Sequence, residues 1–483
     1  MAPKLLGQAL RSTIHFAFSI LNFFIYLGLS VTTGLAFYVE TEKDKNQFLI
    51  DRDRLWNLNK SPIPGFKHYI YRLHSGFKFH YVSNRAPGPR DGPLFILIHG
   101  FPDSYFMWSR LLEEPSFPLS QATVVAVDLP GYGGTDGFKV FNTVVLEALT
   151  EFILGVRETY LQKQSGADAK SNVYIVAHDW GAVLSLRLAS EAPALADRFF
   201  ILNGPHVQLA YSNRDGRLRD SFKNFGTFAS SPWKNWSYLH TGLEIFRPAL
   251  RQAFLFGYQY AFELPAPLVK YLGTGGNFAF LRGVGKAKYG KKGASELSDT
   301  LELAISLGPG VNEARPHTVA ISNDLSTDSY GETVPQRAQS AATAFYTMTS
   351  YYRDGCGWDD WTKSSTILAQ LRALDPNTPA TTAPANENGI KGALLAPLTL
   401  IWGEQDLACT KAICLDGIEK YLGPNSEVIL LPRSGHWTAV EKESRAAVAK
   451  LLALYAAGGD AAVPSATNAI RESYPGATLE AKR

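Results

Sequence analysis

The sequence predicts an α/β fold: a mostly parallel sheet, interrupted by a large, mainly helical insertion and preceded by one N-terminal transmembrane helix. Three observations carry this. Short apolar runs rich in β-branched residues alternate with helical periodicity up to Pro205, and two more strand signals return near the C-terminus. Such alternation gives parallel strands joined by right-handed crossovers. Residues 206–396, between the two groups, are helical, aromatic or loop-like without a βαβ unit. Residues 13–38 contain no Asp, Glu, Lys or Arg, and ~20 apolar residues suffice to cross a bilayer core.

Taken in order, residues 1–40 form the membrane anchor, since their apolar run exceeds the roughly 7–15 residues of a signal peptide. His15 and Asn22 read as polar residues tolerated within it. Residues 41–65 are charged and read as a juxtamembrane linker. The first part of the core spans residues 66–205, with strands expected at HYIYRL, FKFHYVS, PLFILIHG, ATVVAVDLPG, VYIVAHD and RFFILNGP and a helix over residues 142–161. The insertion spans residues 206–396. Within it, residues 273–294 are glycine-rich and basic, and are expected to be a solvated loop. The alternative is contact with anionic lipid through Arg282, Lys286, Lys288, Lys291 and Lys292. Residues 375–389 read as a linker. The second part of the core, residues 397–457, holds the strand signals PLTLIWG and EVILLP and a closing helix; residues 458–483 are expected to be a flexible tail.

The chemistry starts at VYIVAHDWGAVLS, residues 173–185. A strand breaks at a sharp turn flanked by small residues and enters a helix, as in a nucleophile elbow. The residue at the tip is Asp179. A carboxylate attacking saturated carbon forms an alkyl ester, which water can cleave at its carbonyl; a serine would leave an ether, which it cannot. The second step needs a base and a group to orient it. His436 lies after the last strand signal and Asp406 after the one before it, the chain order in which this kind of site places acid and base. Glu404 is a weaker candidate for the orienting acid, and His99 reads as a structural hydrogen-bonder. The backbone N–H groups of Phe101 and Trp180 are the expected oxyanion donors.

HGFPDS, DLPGYGGTD, AHDWGA and SGHW together resemble the epoxide hydrolases of the α/β-hydrolase superfamily. Haloalkane and haloacetate dehalogenases share much of this pattern. The resemblance implies an α/β-hydrolase fold with a helical lid, here an enlarged one. It also implies two lid tyrosines that protonate the opening epoxide. One belongs to a Tyr-x-x-x-Phe-Gln-x-Pro pattern, matched by YQYAFELP from Tyr258 to Pro265 with Glu263 in place of glutamine. The other belongs to a Trp-Tyr-Arg pattern, matched by Tyr351, Tyr352 and Arg353, which points to Tyr352.

The expected activity is therefore conversion of a lipophilic epoxide to a vicinal diol by Asp179, His436, Asp406, Tyr258 and Tyr352, without metal or organic cofactor. A dehalogenase on the same machinery and an inactive membrane scaffold are the alternatives. The formal charge of +3 offers no basis for a nucleic-acid partner. The three cysteines, Cys356, Cys409 and Cys414, form neither a disulfide framework nor a CxxC pair. The expected partners are the epoxide and, through the N-terminal helix, membrane lipid. The expected location is a single-pass position in the endoplasmic reticulum or another endomembrane.

Overall fold

A nine-stranded sheet organises the chain in a computed structural model that describes residues 2–162, 172–289, 296–316, 318–320, 327–380 and 389–483, with residues 2–11, 320 and 327 described by their backbone. Its strands are β1 (Lys67–Arg72), β2 (Lys78–Ser83), β3 (Leu94–Ile98), β4 (Thr123–Val127), β5 (Val173–His178), β6 (Arg198–Leu202), β7 (Leu398–Gly403), β8 (Glu427–Leu431) and β9 (Thr478–Lys482). They lie in the order β1-β2-β4-β3-β5-β6-β7-β8-β9. Strands β3 to β8 pair in parallel, while β1 and β2 at one edge and β9 at the other run antiparallel to their neighbours. Every residue of β3, β4, β5 and β6 is buried. Helices on both faces explain why these strands read as continuous apolar runs rather than alternating ones.

The helices used below are α1 (Ala2–Thr32), α2 (Glu42–Trp56), α3 (Val144–Tyr160), α4 (Trp180–Glu191), α5 (Val207–Ser230), α6 (Trp236–Leu255), α7 (Gly257–Phe262), α8 (Ala266–Ala287), α9 (Asp299–Leu307), α10 (Ala341–Met348), α11 (Ser365–Leu374), α12 (Lys442–Ala462) and α13 (Ala466–Arg471). Helices α5 to α11 all fall between β6 and β7, so one insertion forms the helical layer above the sheet's C-terminal edge. Among the described residues, α1 is the one helix long and apolar enough to cross a membrane, over Ser12–Thr32.

Four expectations are corrected. The segment after the apolar helix is not a linker. Thr41 and Asp44 cap α2 reciprocally, and the helix packs on α9. Leu55 and Trp56 are fully buried there, and the Trp56 indole donates to the Ala304 carbonyl at 2.9 Å. Its charges mask an apolar stripe. The Trp56→Ala variant should lose about 3–5 kcal/mol of stability, read as a lower urea midpoint.

The glycine-rich segment is not a solvated loop up to residue 289, nor do its described basic residues all reach outward. Its residues up to Ala287 belong to α8, which breaks at Gly275–Phe278. Gly273 is buried there because Phe345 would collide with any added Cβ. Arg282 is buried and pairs with Glu40 and Asp299, and Lys288 is buried against Asp103 and Glu302. Lys291, Lys292 and residues 381–388 of the expected linker lie outside the described residues.

The tail is ordered. Helix α13 buries Ile470, and β9 closes the open edge of β8. Its short polar sequence TLEAK suits an exposed edge strand, which is why hydropathy missed it. Finally, His15 and Asn22 are not merely tolerated. His15 pairs with Glu263 at 2.5 Å, and Asn22 is buried against Gly257.

Candidate active site

Strand β5 ends at His178, the chain turns at Asp179, and α4 begins at Trp180. Asp179 takes φ 52°, ψ −119°, a backbone conformation that costs a non-glycine residue energy and is held only by its surroundings. Those surroundings are tight. A Cβ at Gly181 would lie 2.4 Å from the Ile98 carbonyl oxygen, and one at Gly100 would lie 2.3 Å from Asp179 Oδ1. Glycine at both positions lets the elbow and the loop after β3 approach each other.

The Phe101 N–H donates to Asp179 Oδ1 at 2.7 Å. Trp180 is the first residue of α4, where N–H groups lack intrahelical acceptors. On the other side, His436 Nε2 lies 3.5 Å from Asp179 Oδ2, and His436 Nδ1 bonds Asp406 Oδ2 at 2.7 Å. Asp406 in turn accepts from the Ala408 and Cys409 N–H groups at 2.6 and 2.8 Å and from Asn203 Nδ2 at 2.8 Å. Glu404 is exposed and takes no part.

Burial works against the charge of His436, but Asp406 and Asp179 outweigh it and push its pKa up to about 10. Burial likewise opposes the charge of Asp179, yet His436 and the Phe101 N–H hold its carboxyl below the usual range. The resting pair is therefore carboxylate and imidazolium. A neutral group in place of the Asp179 carboxylate would remove one of the two anions that keep His436 protonated.

The helical insertion between β6 and β7 supplies an aromatic wall. Tyr352 meets Trp180, Phe101 and Tyr258 edge to face, with ring centroids 5.0, 5.5 and 5.6 Å apart. Burial, with Asp179 adding to it, keeps the phenol of Tyr258 well above its ordinary pKa; burial does the same for Tyr352, where Tyr258 and then Asp179 contribute. Both thus remain neutral proton donors. The adjacent Tyr351 points elsewhere, donating to the Pro130 carbonyl at 2.9 Å. The structure thus brings Asp179, His436, Asp406, Phe101, Trp180, Tyr258 and Tyr352 around one point.

His99 is structural: its Nδ1–H donates to the Gly100 carbonyl at 2.9 Å, and its Nε2 accepts from the Leu129 N–H at 3.0 Å. Three supporting residues escaped the sequence reading. Asn203, at φ 43°, ties the end of β6 to Gly403 and Asp406. His178, which burial holds neutral with a pKa lowered to about 4, donates through Nε2 to the His436 carbonyl at 3.0 Å. Asp103 joins Lys288, just past α8, to the Trp437 indole, 3.1 Å away, beside His436. Each is a polar residue at a strand end or loop, and only a spatial neighbour distinguishes it from an ordinary cap.

A cavity of about 520 Å³ reaches His436 and Tyr258. A separate cleft of about 610 Å³, lined by Arg90, Glu151 and Glu158, contains none of the residues of this constellation.

Residues 95–284 match the model of the alpha/beta hydrolase family. Over 220 residues the chain is 27% identical to epoxide hydrolase 3 of Mus musculus, covering 42% of this chain and 56% of the relative. Over 171 residues it is 29% identical to epoxide hydrolase 4 of Homo sapiens, covering 32% and 43%. The chain thus spans about half the length of these curated relatives. Among solved structures, an epoxide hydrolase of Bacillus megaterium in complex with an inhibitor aligns with 76% of this chain and 94% of its own, at 22% identity and a TM-score of 0.43. The Cif epoxide hydrolase of Acinetobacter nosocomialis aligns with 84% and 94%, at 17% identity and a TM-score of 0.47. With its sheet order, its elbow and the family match over residues 95–284, the chain is an α/β-hydrolase-fold protein whose curated relatives carry the name epoxide hydrolase.

Proposed function

We propose that this protein is a membrane-anchored epoxide hydrolase. Its core comprises residues 66–205 and 397–483, and residues 206–396 form the lid. The observation that carries the reading is the pair of neutral phenols, Tyr258 and Tyr352, packed against each other beside Asp179. A halide departs without a proton, whereas an opening epoxide leaves an alkoxide that requires one.

In the first step an Asp179 oxygen bonds to an epoxide carbon and the carbon–oxygen bond of the ring breaks. The released electron pair takes a proton from Tyr258 or Tyr352, and the imidazolium proton of His436 restores the phenol. In the second step neutral His436 takes a proton from water as the water attacks Asp179 Cγ. The N–H groups of Phe101 and Trp180 hold the oxyanion, which collapses, expels the diol and regenerates the carboxylate. Asp406 orients the imidazole and stabilises its charged form. Helix α1 holds the chain at a membrane, which suits a lipophilic substrate.

The test is product analysis with the full chain. A lipophilic epoxide should yield its vicinal diol, and organohalides should release no halide. Halide release without diol would make the protein a dehalogenase; neither product would leave an inactive scaffold. Tyr258→Phe and Tyr352→Phe should each slow alkylation of Asp179 by ~10²-fold, the usual effect of losing one such donor. The rate of ester hydrolysis should change little. Pre-steady-state kinetics separates the two steps.

A further inference from the structure

Helix α1 is docked along the lid. Ser19, Asn22 and Phe23 are buried, Phe18 stands edge-on to Tyr260 at 4.9 Å, and Tyr26 to Phe280 at 5.6 Å. The chain beyond it is held too, by Glu40 on Arg282 at 3.1 Å. The opposite face of the helix presents Ile14, Phe16, Leu21, Phe24, Leu29 and Val31, each half or more exposed.

The cavity that reaches His436 and Tyr258 has three walls. One is α1, through Tyr26, Leu29 and Ser30. The second is the lid, through Phe254, Gly283 and Val284. The third is the core beside the catalytic histidine, through Leu407 and Trp437. Three wall residues are also exposed to the outside: Leu29 and Phe254 at 50% and Leu407 at 54%. The rim is therefore largely apolar, with Thr33 and Gln405 as exposed polar members. Leu29 belongs at once to the cavity and to the exposed apolar face of α1, so the mouth and that face share an edge. The hairpin of α5 and α6 continues the apolar surface, with Trp233, Trp236, Leu243 and Phe254 exposed. An apolar surface of this extent marks contact with a membrane or a partner. A helix with no Asp, Glu, Lys or Arg from Thr13 to its end at Thr32 favours lipid.

We infer that α1 is a wall of the active-site mouth as well as an anchor, and that this mouth opens onto the lipid phase and admits long-chain epoxides dissolved there. The inference rests on the epoxide hydrolase reading for its substrate class, though not for the position of the mouth.

Two measurements on the full chain in phosphatidylcholine vesicles test it. A side chain grown from Gly283 first meets Leu35, 3.6 Å away, so Gly283→Trp projects into the cavity. This variant should lower kcat/KM for a long-chain terminal alkyl epoxide at least tenfold more than kcat/KM for a short, water-soluble one. An equal effect on both substrates would overturn the proposed route. A nitroxide on Leu29→Cys, with Cys356, Cys409 and Cys414 all buried, should be relaxed by oxygen rather than by a water-soluble nickel chelate. Relaxation dominated by the chelate would overturn the lipid-facing mouth. Absence of turnover with any epoxide in the unsubstituted chain would instead remove the functional reading, and the nitroxide would still decide where the mouth faces.

Discussion

Replacing His436 by alanine should turn the protein into a trap: alkylation of Asp179 proceeds and the ester accumulates. The asymmetry follows from where His436 sits. Its Nε2 faces Asp179 Oδ2 at 3.5 Å, while Oδ1 is held by the Phe101 N–H on the other side. In the proposed reaction, attack on the epoxide uses a carboxylate that is already ionised, and the proton for the departing oxygen comes from the phenols of Tyr258 and Tyr352. Hydrolysis of the ester has no such reserve, because no other described base stands at that position. Removing a general base costs ~10²–10⁴-fold, so the second step becomes limiting. Intact-protein mass spectrometry after brief exposure to a lipophilic epoxide should show a mass gain equal to one whole epoxide, mapped by proteolysis to Asp179. A halogenated alkane that added only its alkyl group, with no epoxide adduct, would overturn the assignment. Asp406→Asn should give a weaker version of the same result. The amide cannot stabilise the imidazolium, although Asn203 and the Ala408 and Cys409 N–H groups still define the position.

The sequence carried the candidate site further than the periphery, for a physical reason. Asp179, Asp406 and His436 each lie just past a buried apolar strand, and a strand that is buried on both faces announces itself by composition. Helix α2 and strand β9 are amphipathic or edge elements whose apolar residues are sparse, so charge hides Trp56 and polarity hides the pairing of TLEAK with β8. The glycine-rich part of α8 misled for a related reason. Glycine usually signals a loop, yet Gly273 is required by the close approach of Phe345, and Arg282 is itself buried and paired with the carboxylates of Glu40 and Asp299. Asn203 and His178 support the triad through single hydrogen bonds, which no spacing rule records.

The second large effect belongs to Asp179→Asn. An amide is a poor nucleophile towards an epoxide, so adduct formation and turnover should both fall by on the order of 10⁴-fold or more. The same substitution has an electrostatic signature that a merely misfolded variant would lack. Asp179 is one of two carboxylates that raise His436 to about 10, and Asp406 is the larger of the two influences. With Asp179 neutral, the imidazole should titrate at lower pH than in the parent, as read by NMR of labelled histidine. The sign for stability follows. A raised imidazole pKa contributes stability that is complete below 6.5 and lost as pH rises through about 10. The depressed carboxyl of Asp179 contributes stability that is present above 3.8 and lost as pH falls through its lowered value. The stability of the parent relative to Asp179→Asn should therefore be greatest between these two ordinary values and shrink on either side. The strained backbone at position 179 contributes to both proteins independently of pH. The pH dependence of the difference, rather than its absolute size, is accordingly the quantity to measure by denaturant titration. A difference independent of pH would mean that Asp179 and His436 do not share an ion pair in the resting protein.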